Sequence, residues 1–537
     1  MRGTLTSAVL SGPPAPVDPP RLEEIVRPFG VTGRGIAFTG GPSRVELSYH
    51  DLAVRAVSAA ARLREEGVRP GSPVATTLTN DLPSVVTVLA VWMCGATLVS
   101  LPPVTRGTRN WHAERFGPAL RTMGCAFLIG DEDPFQGASG LRVIPKAALA
   151  EAGERRAVVP DARIPETALV QFTSGSVAAP KGVAIGARAL AGHVAAIRAA
   201  GAFEGGRDRI VSWLPLYHDM GLVAMFLLGL ATRTDQVLAP PASFATGPAS
   251  WLTALARERA TATAAPNFAY RLAAAVPYEP GLDLSRMRVA ISGGERLDWQ
   301  ALNRFDEVAG PMGFPREALT PAYGLAEGTV GVSYSPVGRG PLRGPGGHVS
   351  VGRPLPGLEV RAPGPDAPGP IMLRGDWLFD GYHSGAGFEA FRPGDWFDTG
   401  DQGFVHEDEL YVLGRRGEVV TVAGRNVFAE DVEAVAHQAG GRLVRCCAAF
   451  RDPGASGRFG LMVEADPRLV KGEEAARELA RAVHAQVAES LGTRPAPVLV
   501  VRLGAIPRTT SGKVQRDLCR SLHRDGLIGR RLITELN

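Results

Sequence analysis

Short apolar runs alternate with amphipathic segments along the N-terminal part of the chain, and few architectures accommodate this alternation. Ser48 is placed to cap a helix, with Asp51 at the acidic position of a capping box. Residues 74–78 then read as a strand, residues 81–93 as a second helix and residues 98–101 as a second strand. Strands that alternate with helices favour a parallel sheet in an α/β fold.

The predicted strands continue further along the chain, and the pattern of apolar and turn residues changes twice. Strands that enter polar or glycine-rich loops are predicted at residues 168–172, 209–214 and 288–292. Residues 351–404 carry short alternating runs with many Gly and Pro, which is typical of a small β-rich subdomain. A strand at 419–422 and a helix at 430–437 then begin a compact α+β unit. Because 537 residues exceed the size of a single core, at least two domains are expected.

Charge and cysteine content exclude several classes of protein. The formal net charge is +4 and no block of like charges stands out, so we predict neither a nucleic-acid nor a membrane partner. The longest apolar stretch, residues 85–101, is interrupted by Thr and Gly and is too short for a membrane span. Five cysteines without a C-x-x-C pair favour a reducing cytoplasm. Residues 1–20 are expected to be a frayed tail.

The first segment that indicates chemistry is TSGSVAAPKGV at residues 173–183, directly after a predicted strand. The hydroxyls and backbone N–H groups of such a loop suit phosphate oxygens, and Lys181 adds a positive charge. The candidate contacts are Thr173, Ser174, Gly175 and Ser176. The segment does not match the Walker pattern, so a phosphate-binding loop and a surface turn are both open on this segment alone.

Six further segments follow, and each taken singly has a structural explanation. They are SWLPLYHDMG (212–221), SGGERL (292–297), PAYGLAE (321–327), WFDTGD (396–401), GRRG (414–417) and TTSGK (509–513). A lone histidine such as His218 is more often structural than catalytic, and Lys513 alone would be an exposed loop lysine. In this order, however, the seven segments resemble the core motifs of the adenylate-forming superfamily over roughly residues 45–520. That superfamily includes acyl-CoA synthetases, fatty acyl-AMP ligases, peptide-synthetase adenylation domains and luciferase.

The resemblance implies a domain organisation. A large N-terminal domain of parallel-sheet α/β subdomains and a small β-rich subdomain would occupy residues 1–414. A hinge would follow at 415–417, and a small mobile α+β lid domain at 418–537. The family's hinge residue falls on Gly417, where glycine leaves the backbone free to rotate.

The resemblance also implies roles for individual residues. Attack of a carboxylate on the α-phosphate of ATP requires positioning and positive charge, and Lys513 matches the family's lysine between these groups. Glu327 matches a Mg²⁺-associated glutamate, and His218 matches a residue near the acyl carboxylate. Pro266 and Phe268 are predicted to wall the acyl pocket together with His218. The remaining nucleotide contacts would come from Gly293, Gly294, Glu295, Tyr323 and Gly324 at the adenine and from Asp401 and Arg415 at the ribose.

Within the superfamily, SWLPLYHDMG, YGLAE and GRN (424–426) look most like fatty acyl-AMP ligases. Those ligases usually carry an inserted segment after the Tyr-Gly-x-x-Glu motif that disfavours CoA, whereas residues 333–352 are too short to contain one. The resemblance implies an ATP-dependent, AMP-forming ligase for a hydrophobic carboxylic acid in fatty-acid or specialised metabolism. The acceptor thiol would belong to CoA or to the phosphopantetheine of an acyl carrier protein.

The phosphate loop departs from the family pattern, because Val177 and Ala178 stand where a threonine and often a glycine are expected. Val177 lacks a hydroxyl for the β- and γ-phosphates, and one lost charge-assisted hydrogen bond costs about 1.5–3 kcal/mol. Two alternatives therefore stay open: an enzyme that only joins preformed acyl-AMP to a thiol, and a non-catalytic nucleotide-binding homologue. A dehydrogenase is set aside, because no G-x-G-x-x-G follows a strand and opens a helix.

Overall fold

The computed structural model describes residues 7–41, 43–104, 109–135, 140–150, 163–173, 180–422, 425–451, 459–508 and 513–536. Its strands, in chain order, are β1 (Ala8–Ser11), β2 (Gly35–Phe38), β3 (Val45–Ser48), β4 (Pro73–Thr77), β5 (Thr97–Leu101), β6 (Phe127–Ile129), β7 (Arg142–Ile144), β8 (Thr167–Phe172), β9 (Gly182–Gly186), β10 (Arg209–Ser212), β11 (Asp235–Leu238), β12 (Ala262–Pro266), β13 (Val289–Gly293), β14 (Leu319–Tyr323), β15 (Ser333–Tyr334), β16 (Arg353–Pro354), β17 (Leu358–Ala362), β18 (Gly369–Gly375), β19 (Gly381–Ser384), β20 (Gly387–Ala390), β21 (Phe397–His406), β22 (Glu409–Arg415), β23 (Val419–Val422), β24 (Arg425–Phe428), β25 (Val444–Arg451), β26 (Phe459–Ala465), β27 (Val498–Val501) and β28 (Leu532–Leu536).

The helices are α1 (Leu22–Val26), α2 (Tyr49–Glu65), α3 (Leu82–Met93), α4 (Arg109–Thr122), α5 (Lys146–Ala150), α6 (Ala187–Gly201), α7 (Leu228–Thr232), α8 (Pro241–Thr246), α9 (Ala249–Arg257), α10 (Asn267–Ala273), α11 (Trp299–Ala309), α12 (Ala429–Gly440), α13 (Gly472–Leu491) and α14 (Arg516–Arg524). A π-helix, Met220–Leu227, leads directly into α7.

Two large sheets of mainly parallel strands form the body of the protein. An eight-stranded sheet has the order β20-β19-β9-β8-β5-β4-β6-β7, and its strands from β8 to β7 are parallel. A nine-stranded sheet has the order β16-β15-β14-β13-β12-β10-β11-β2-β3, with antiparallel pairs at its edges. One apolar core runs through both sheets and the helices that cover them. The predicted α/β fold is therefore confirmed.

Local sequence signals explain where several of these elements begin. The Ser48 hydroxyl accepts a hydrogen bond from the Asp51 N–H at 3.0 Å, as the capping signal predicts. Asp81 caps α3 by accepting a hydrogen bond from the Ser84 N–H at 2.8 Å. The α3 helix is buried over nearly its whole length, which explains why its sequence is almost continuously apolar.

The β-rich subdomain is an antiparallel sheet with the order β1-β17-β18-β21-β22. The N-terminal segment contributes to it, since β1 pairs with β17 along four residues. The expectation of a frayed tail is therefore wrong for Ala8–Ser11. Two prolines and a glycine directly after this short run suggested an unstructured segment, but an edge strand needs only a free neighbour with which to pair.

After β22 the chain builds a separate α+β unit. A two-stranded ribbon, β23-β24, precedes a four-stranded sheet with the order β25-β26-β27-β28. Apolar side chains cover both faces of this sheet, with α12 and α13 on one side and α14 on the other. In the described part of the chain, no helix combines the length and apolar character needed to cross a membrane.

Candidate active site

A cavity of about 2580 Å³ is lined by the two large sheets, the β-rich subdomain and the C-terminal unit. The strands β8, β13 and β14 bring residues to its wall because parallel strands end at one edge of a sheet. Most of the residues predicted from the sequence contribute to this wall: Thr173, His218, Phe268, Gly294, Glu295, Tyr323, Gly324, Glu327, Asp401, Arg415, Gly417 and Lys513. The structure thus brings together residues from all seven motifs.

Three predicted site residues do not line this cavity. A methyl group on Gly293 would lie 3.0 Å from the carbonyl oxygen of Ala322, so this glycine permits close packing of β13 against β14. Pro266 is a buried residue at the end of β12. Lys181 carries a half-exposed side chain, 3.7 Å from Glu389. The predicted contacts Ser174, Gly175 and Ser176, together with Val177 and Ala178, lie outside the described residues.

Tyr323, Asp401 and Arg415 form a chain of contacts that runs from two buried residues to the exposed side chain of Arg415. The Tyr323 hydroxyl donates to Asp401 Oδ2 at 2.6 Å, and Arg415 Nε lies 2.9 Å from Oδ1 of the same carboxylate. Burial raises the pKa of Asp401, while Arg415 and the Tyr323 hydroxyl act in the opposite direction. Register places this pair, since Asp401 on β21 lies opposite Arg415 on β22. A carboxylate has further lone pairs, so a ribose hydroxyl would share Asp401 with these two partners.

Glu327 lies on a short 3₁₀ turn after β14 and is paired with a residue that the sequence did not indicate. The Tyr382 hydroxyl donates to Glu327 Oε1 at 2.8 Å. The Lys181 ammonium lies 4.5 Å from the centre of the Tyr382 ring, so Lys181 reaches the site only through this ring. Burial raises the pKa of Glu327, and the Tyr382 hydrogen bond opposes that shift.

His218 is oriented by its neighbour in the sequence. Its Nδ1 lies 2.6 Å from Asp219 Oδ1, and Asp219 also accepts a hydrogen bond from the Met220 N–H at the start of the π-helix. Burial acts to raise the pKa of Asp219, but the His218 imidazole and Lys513 outweigh it, so this pKa lies below its usual value. The π-helix was not predicted, because an apolar run does not distinguish π from α geometry. Its presence beside His218 agrees with the frequent location of π-helical turns at functional sites.

Lys513 reaches the site from the C-terminal unit. Next to Lys513, Val514 forms an antiparallel β-bridge with Arg508, and the Gln515 N–H donates a hydrogen bond to Pro507 O at 2.9 Å. A methyl group on Gly294 would lie 3.9 Å from Lys513 Nζ, so the ammonium group lies beside this glycine. Burial acts to raise the pKa of both Glu295 and Asp401, and Lys513 is among the positive charges that act against it.

Glu295 lies between Gly294 and the first turn of α10 on the wall of the cavity. Its Oε1 accepts a hydrogen bond from the Phe268 N–H in the first turn of α10. Burial raises the pKa of Glu295, and Arg271 provides the largest opposing charge. Phe268 belongs to an aromatic row, since its ring centre lies 6.3 Å from that of Phe244, which stacks on Trp213 at 4.2 Å. This row makes Phe268 suitable for contact with an apolar chain.

A further part of the wall was missed by sequence analysis. Trp111 and Phe116 on α4 line the cavity together with Phe172 at the end of β8. The rings of Phe116 and Phe172 are 5.0 Å apart, and those of Trp111 and Phe116 are 5.4 Å apart. Only the aromatic content of residues 109–122 signalled this wall, and helical periodicity alone does not separate a pocket wall from an ordinary core.

Comparison with known proteins shows to which family the chain belongs. The model of the family described as "AMP-binding enzyme" matches residues 31–383, which is more than half of the chain. The chain belongs to this family. It is an AMP-forming ligase, and its cavity is that of an enzyme that binds ATP and AMP.

Relatives of this AMP-binding enzyme include several adenylating proteins of mycobacteria. It is 31% identical to the 4-hydroxyphenylalkanoate adenylyltransferase of Mycobacterium tuberculosis, over 83% of this chain and 81% of that protein. It is 30% identical to the long-chain-fatty-acid–AMP ligase FadD26 of Mycobacterium marinum, over 88% and 90% of the two chains.

Solved structures give the same result at the level of the fold. A structure from studies of the fatty acyl-adenylate ligases of E. coli and L. pneumophila aligns with a TM-score of 0.83 and 26% identity, over 95% of this chain and 99% of that chain. The McyG adenylation and carrier domains with phenylalanyl-adenylate align with a TM-score of 0.86 and 21% identity, over 98% and 86%. The latter likeness concerns the fold alone.

Proposed function

We propose that the enzyme activates a hydrophobic carboxylic acid as acyl-AMP and transfers the acyl group to a thiol. The observation that carries this proposal is the placement of Lys513, Glu327 and Asp401 around one cavity that also has an aromatic wall. The names of the relatives support it, since they include a long-chain-fatty-acid–AMP ligase and an adenylyltransferase for an aryl-substituted alkanoate.

The side chains suit the two bonds that change in the first step. A carboxylate oxygen of the acid bonds to the α-phosphorus of ATP, and the bond from this phosphorus to the pyrophosphate oxygen breaks. Lys513 would offset the charge that develops between the carboxylate and the α-phosphate. His218, held by Asp219 at 2.6 Å, would orient the acid carboxylate at the end of the acyl pocket. Asp401, Tyr323 and Arg415 would hold the ribose and adenine.

Magnesium is part of the proposal, and the side chains of the site fit it. Among the described residues, no group of three or more acidic, His or Cys side chains forms a metal site of its own. Mg²⁺ commonly binds through one or two carboxylates together with substrate phosphates, so a single, partly buried Glu327 beside the phosphate region suits it. When bound, the ion would neutralise charge on the phosphates. Glu327 would hold it, and Tyr382 would hold Glu327 at 2.8 Å.

The acceptor is a thiol of CoA or of carrier-protein phosphopantetheine. The loop that would carry the CoA-disfavouring insertion is short and fastened to β22, since Arg339 binds Glu409 through contacts of 2.7 and 2.9 Å. For the transfer we propose that the lid at 418–537 rotates about the hinge at 415–417. We also propose a reducing cytoplasm, which the five free cysteines support.

The alternative in which the enzyme only uses preformed acyl-AMP rests on Val177 and Ala178. The non-catalytic alternative is less favoured, because Lys513, Glu327 and Asp401 are present in one cavity. The test combines the purified protein with ATP, Mg²⁺ and saturated fatty acids of graded length or 4-hydroxyphenylalkanoic acids, with CoA, with phosphopantetheinylated carrier protein, or with neither. Synthetic acyl-AMP with each thiol runs in parallel.

Mass spectrometry then follows acyl-AMP and the thioesters. Acyl-AMP formed from ATP supports the full proposal, and the thiol that becomes acylated identifies the acceptor. Thioester formed only from supplied acyl-AMP would favour the alternative based on Val177. If neither product appears with any acid or thiol, the proposed activity is wrong.

A further inference from the structure

Arg296 reaches from the nucleotide site to the C-terminal unit. It directly follows Glu295 in the SGGERL segment, and its Nη1 lies 2.6 Å from Asp431 Oδ1. Both side chains are largely buried, with exposed fractions of 16% and 23%. Arg296 Nη1 makes no hydrogen bond of good direction, so the contact is an ion pair. On the side of its own domain, Arg296 Nη2 lies 3.3 Å from His348 Nδ1.

Asp431 lies where it can fix the orientation of a whole helix. It is the third residue of α12, and its Oδ2 accepts a hydrogen bond from the Phe428 N–H at 3.0 Å. The carboxylate therefore caps α12 with one oxygen and pairs with Arg296 through the other. Because the cap joins the side chain to the backbone, a force on the Asp431 carboxylate acts on the first turn of α12.

The helix α12 is in turn joined to the segment that carries Lys513. Arg516 lies three residues after Lys513 and is largely buried. Its guanidinium contacts Glu430 and Glu433 of α12 at 3.0 and 2.7 Å, and Glu418 beside the hinge at 2.6 Å. Multiple charge-assisted contacts of a planar guanidinium define position as well as energy. Lys513, the hinge segment and α12 are therefore one connected unit.

We propose that Arg296 is a positioning residue for Lys513. Its ion pair with Asp431 holds the C-terminal unit in the orientation that places the Lys513 ammonium beside Gly294. This inference rests on the proposed function, because it assigns the ion pair to the first half-reaction. Rotation of the lid would separate the two residues, so the pair does not contribute to acyl transfer from acyl-AMP to the thiol.

A double-mutant cycle tests the pair. Arg296→Gln and Asp431→Asn each remove one charge, and the amide oxygen introduced by Asp431→Asn can still accept a hydrogen bond from the Phe428 N–H. We expect each variant to lower kcat of acyl-AMP formation about tenfold, with KM for ATP changed less than about twofold. The double variant should be no slower than the slower single variant. Thioester formation from supplied acyl-AMP should become faster, because loss of the ion pair releases the lid for rotation.

Two controls separate positioning from general damage. Arg477→Gln removes an exposed ion pair with Glu473 inside the C-terminal unit and should leave both half-reactions unchanged. Arg296→Lys keeps the charge and should recover part of the lost rate. The inference is overturned if the two single effects multiply in the double variant, if both half-reactions fall together, or if neither variant changes acyl-AMP formation.

The proposed function can fail separately. The unsubstituted protein could form no acyl-AMP and still acylate a thiol from supplied acyl-AMP. In that case the double-mutant cycle is measured on the rate of thioester formation alone. Faster transfer in Arg296→Gln and Asp431→Asn then supports the ion pair as a restraint on the lid, and unchanged transfer overturns it. If the protein acylates no thiol either, the proposed function fails. Small-angle X-ray scattering then tests whether the ion pair restrains the C-terminal unit. A larger radius of gyration for Arg296→Gln than for Arg477→Gln would support the restraint, and equal radii would overturn it.

Discussion

At the scale of single residues, acidic and basic side chains both line the site, and Asp401 is buried while Glu295 and Glu327 are partly buried. Burial raises the pKa of Glu295, Glu327 and Asp401, because the charged form of each carboxyl loses solvation. Lys513 is the cation that the C-terminal unit contributes beside Gly294. An ammonium group at this position can offset charge that develops on a phosphate.

We therefore expect Lys513→Met to lower kcat of acyl-AMP formation by about 100- to 1000-fold, the range for loss of one group that stabilises a transition state. KM for ATP should change little, because the ribose and adenine contacts lie on other elements. Steady-state pyrophosphate release measures both constants. The control is Lys471→Met, an exposed residue at the start of α13. Equal losses in the two variants would contradict the assigned role.

Asp380 offers a second prediction, about stability. Its Oδ2 is buried and has no hydrogen-bond partner among the described residues, and burial, followed by the charge of Glu166, raises its pKa to about 6. The folded carboxyl thus binds its proton more tightly than the unfolded one, whose pKa is about 3.9. Stability from this group is fully present below the unfolded pKa and is lost as the pH rises through about 6.

Asp380→Asn should therefore stabilise the fold above pH 6 and have little effect near pH 4. Because the side chain is partly exposed, the gain is about 1 kcal/mol rather than the full value of the shift. Urea unfolding at several pH values from 4 to 8 measures it. Asp366→Asn is the control, because Asp366 is exposed and forms no ion pair or hydrogen bond within the described residues. A gain that does not grow with pH would contradict the assignment.

At the scale of elements, the sequence predicts where helices and strands occur better than it predicts how distant segments pair. The Ser48 cap, the strand at Val419–Val422 and the α12 helix follow local rules and are confirmed. Two features of the structure depend on contacts between residues that are far apart in the sequence. β1 depends on pairing with β17, about 350 residues away, and Tyr382 meets Glu327 only because β19 pairs with β9. Periodicity carries no information about such pairs, so these parts of the site could not be predicted.

The π-helix gives a prediction at this scale. A methyl group on Gly221 would lie 2.2 Å from the carbonyl oxygen of Pro215, and backbone atoms cannot move aside as a side chain can. We expect Gly221→Ala to lower the free energy of unfolding by about 1–3 kcal/mol and to displace His218. Urea denaturation and acyl-AMP formation measure the two effects.

Gly310→Ala is the matched control for this substitution. Its φ of −55° is helical and no atom lies within 4 Å of the added methyl group, so the change should be neutral or should stabilise the protein by about 0.4–1 kcal/mol. Similar stability for the two variants would show that the Pro215 carbonyl does not restrict residue 221.

At the scale of the whole molecule, the change in the pattern of apolar and turn residues near residue 415 predicts a distinct C-terminal unit. The structure has such a unit after β22. What the sequence could not provide is how that unit sits on the rest of the protein. Ion pairs such as Arg296–Asp431 join residues more than a hundred positions apart, and only the folded arrangement shows them. The rotation of this unit about Gly417 remains a proposal, and its consequence can be tested directly.

Gly417 lies in the 3₁₀ turn Arg416–Glu418, is exposed, and has open space around an added methyl group. Proline fixes φ near −65° and therefore prevents large rotation at the residue. We expect Gly417→Pro to keep acyl-AMP formation within about threefold and to slow thioester formation from supplied acyl-AMP by at least about tenfold. Gly417→Ala is the control and should affect neither step. If proline slows the two half-reactions equally, residue 417 is a structural turn, and the lid must reach the thiol-accepting arrangement by motion elsewhere in the chain.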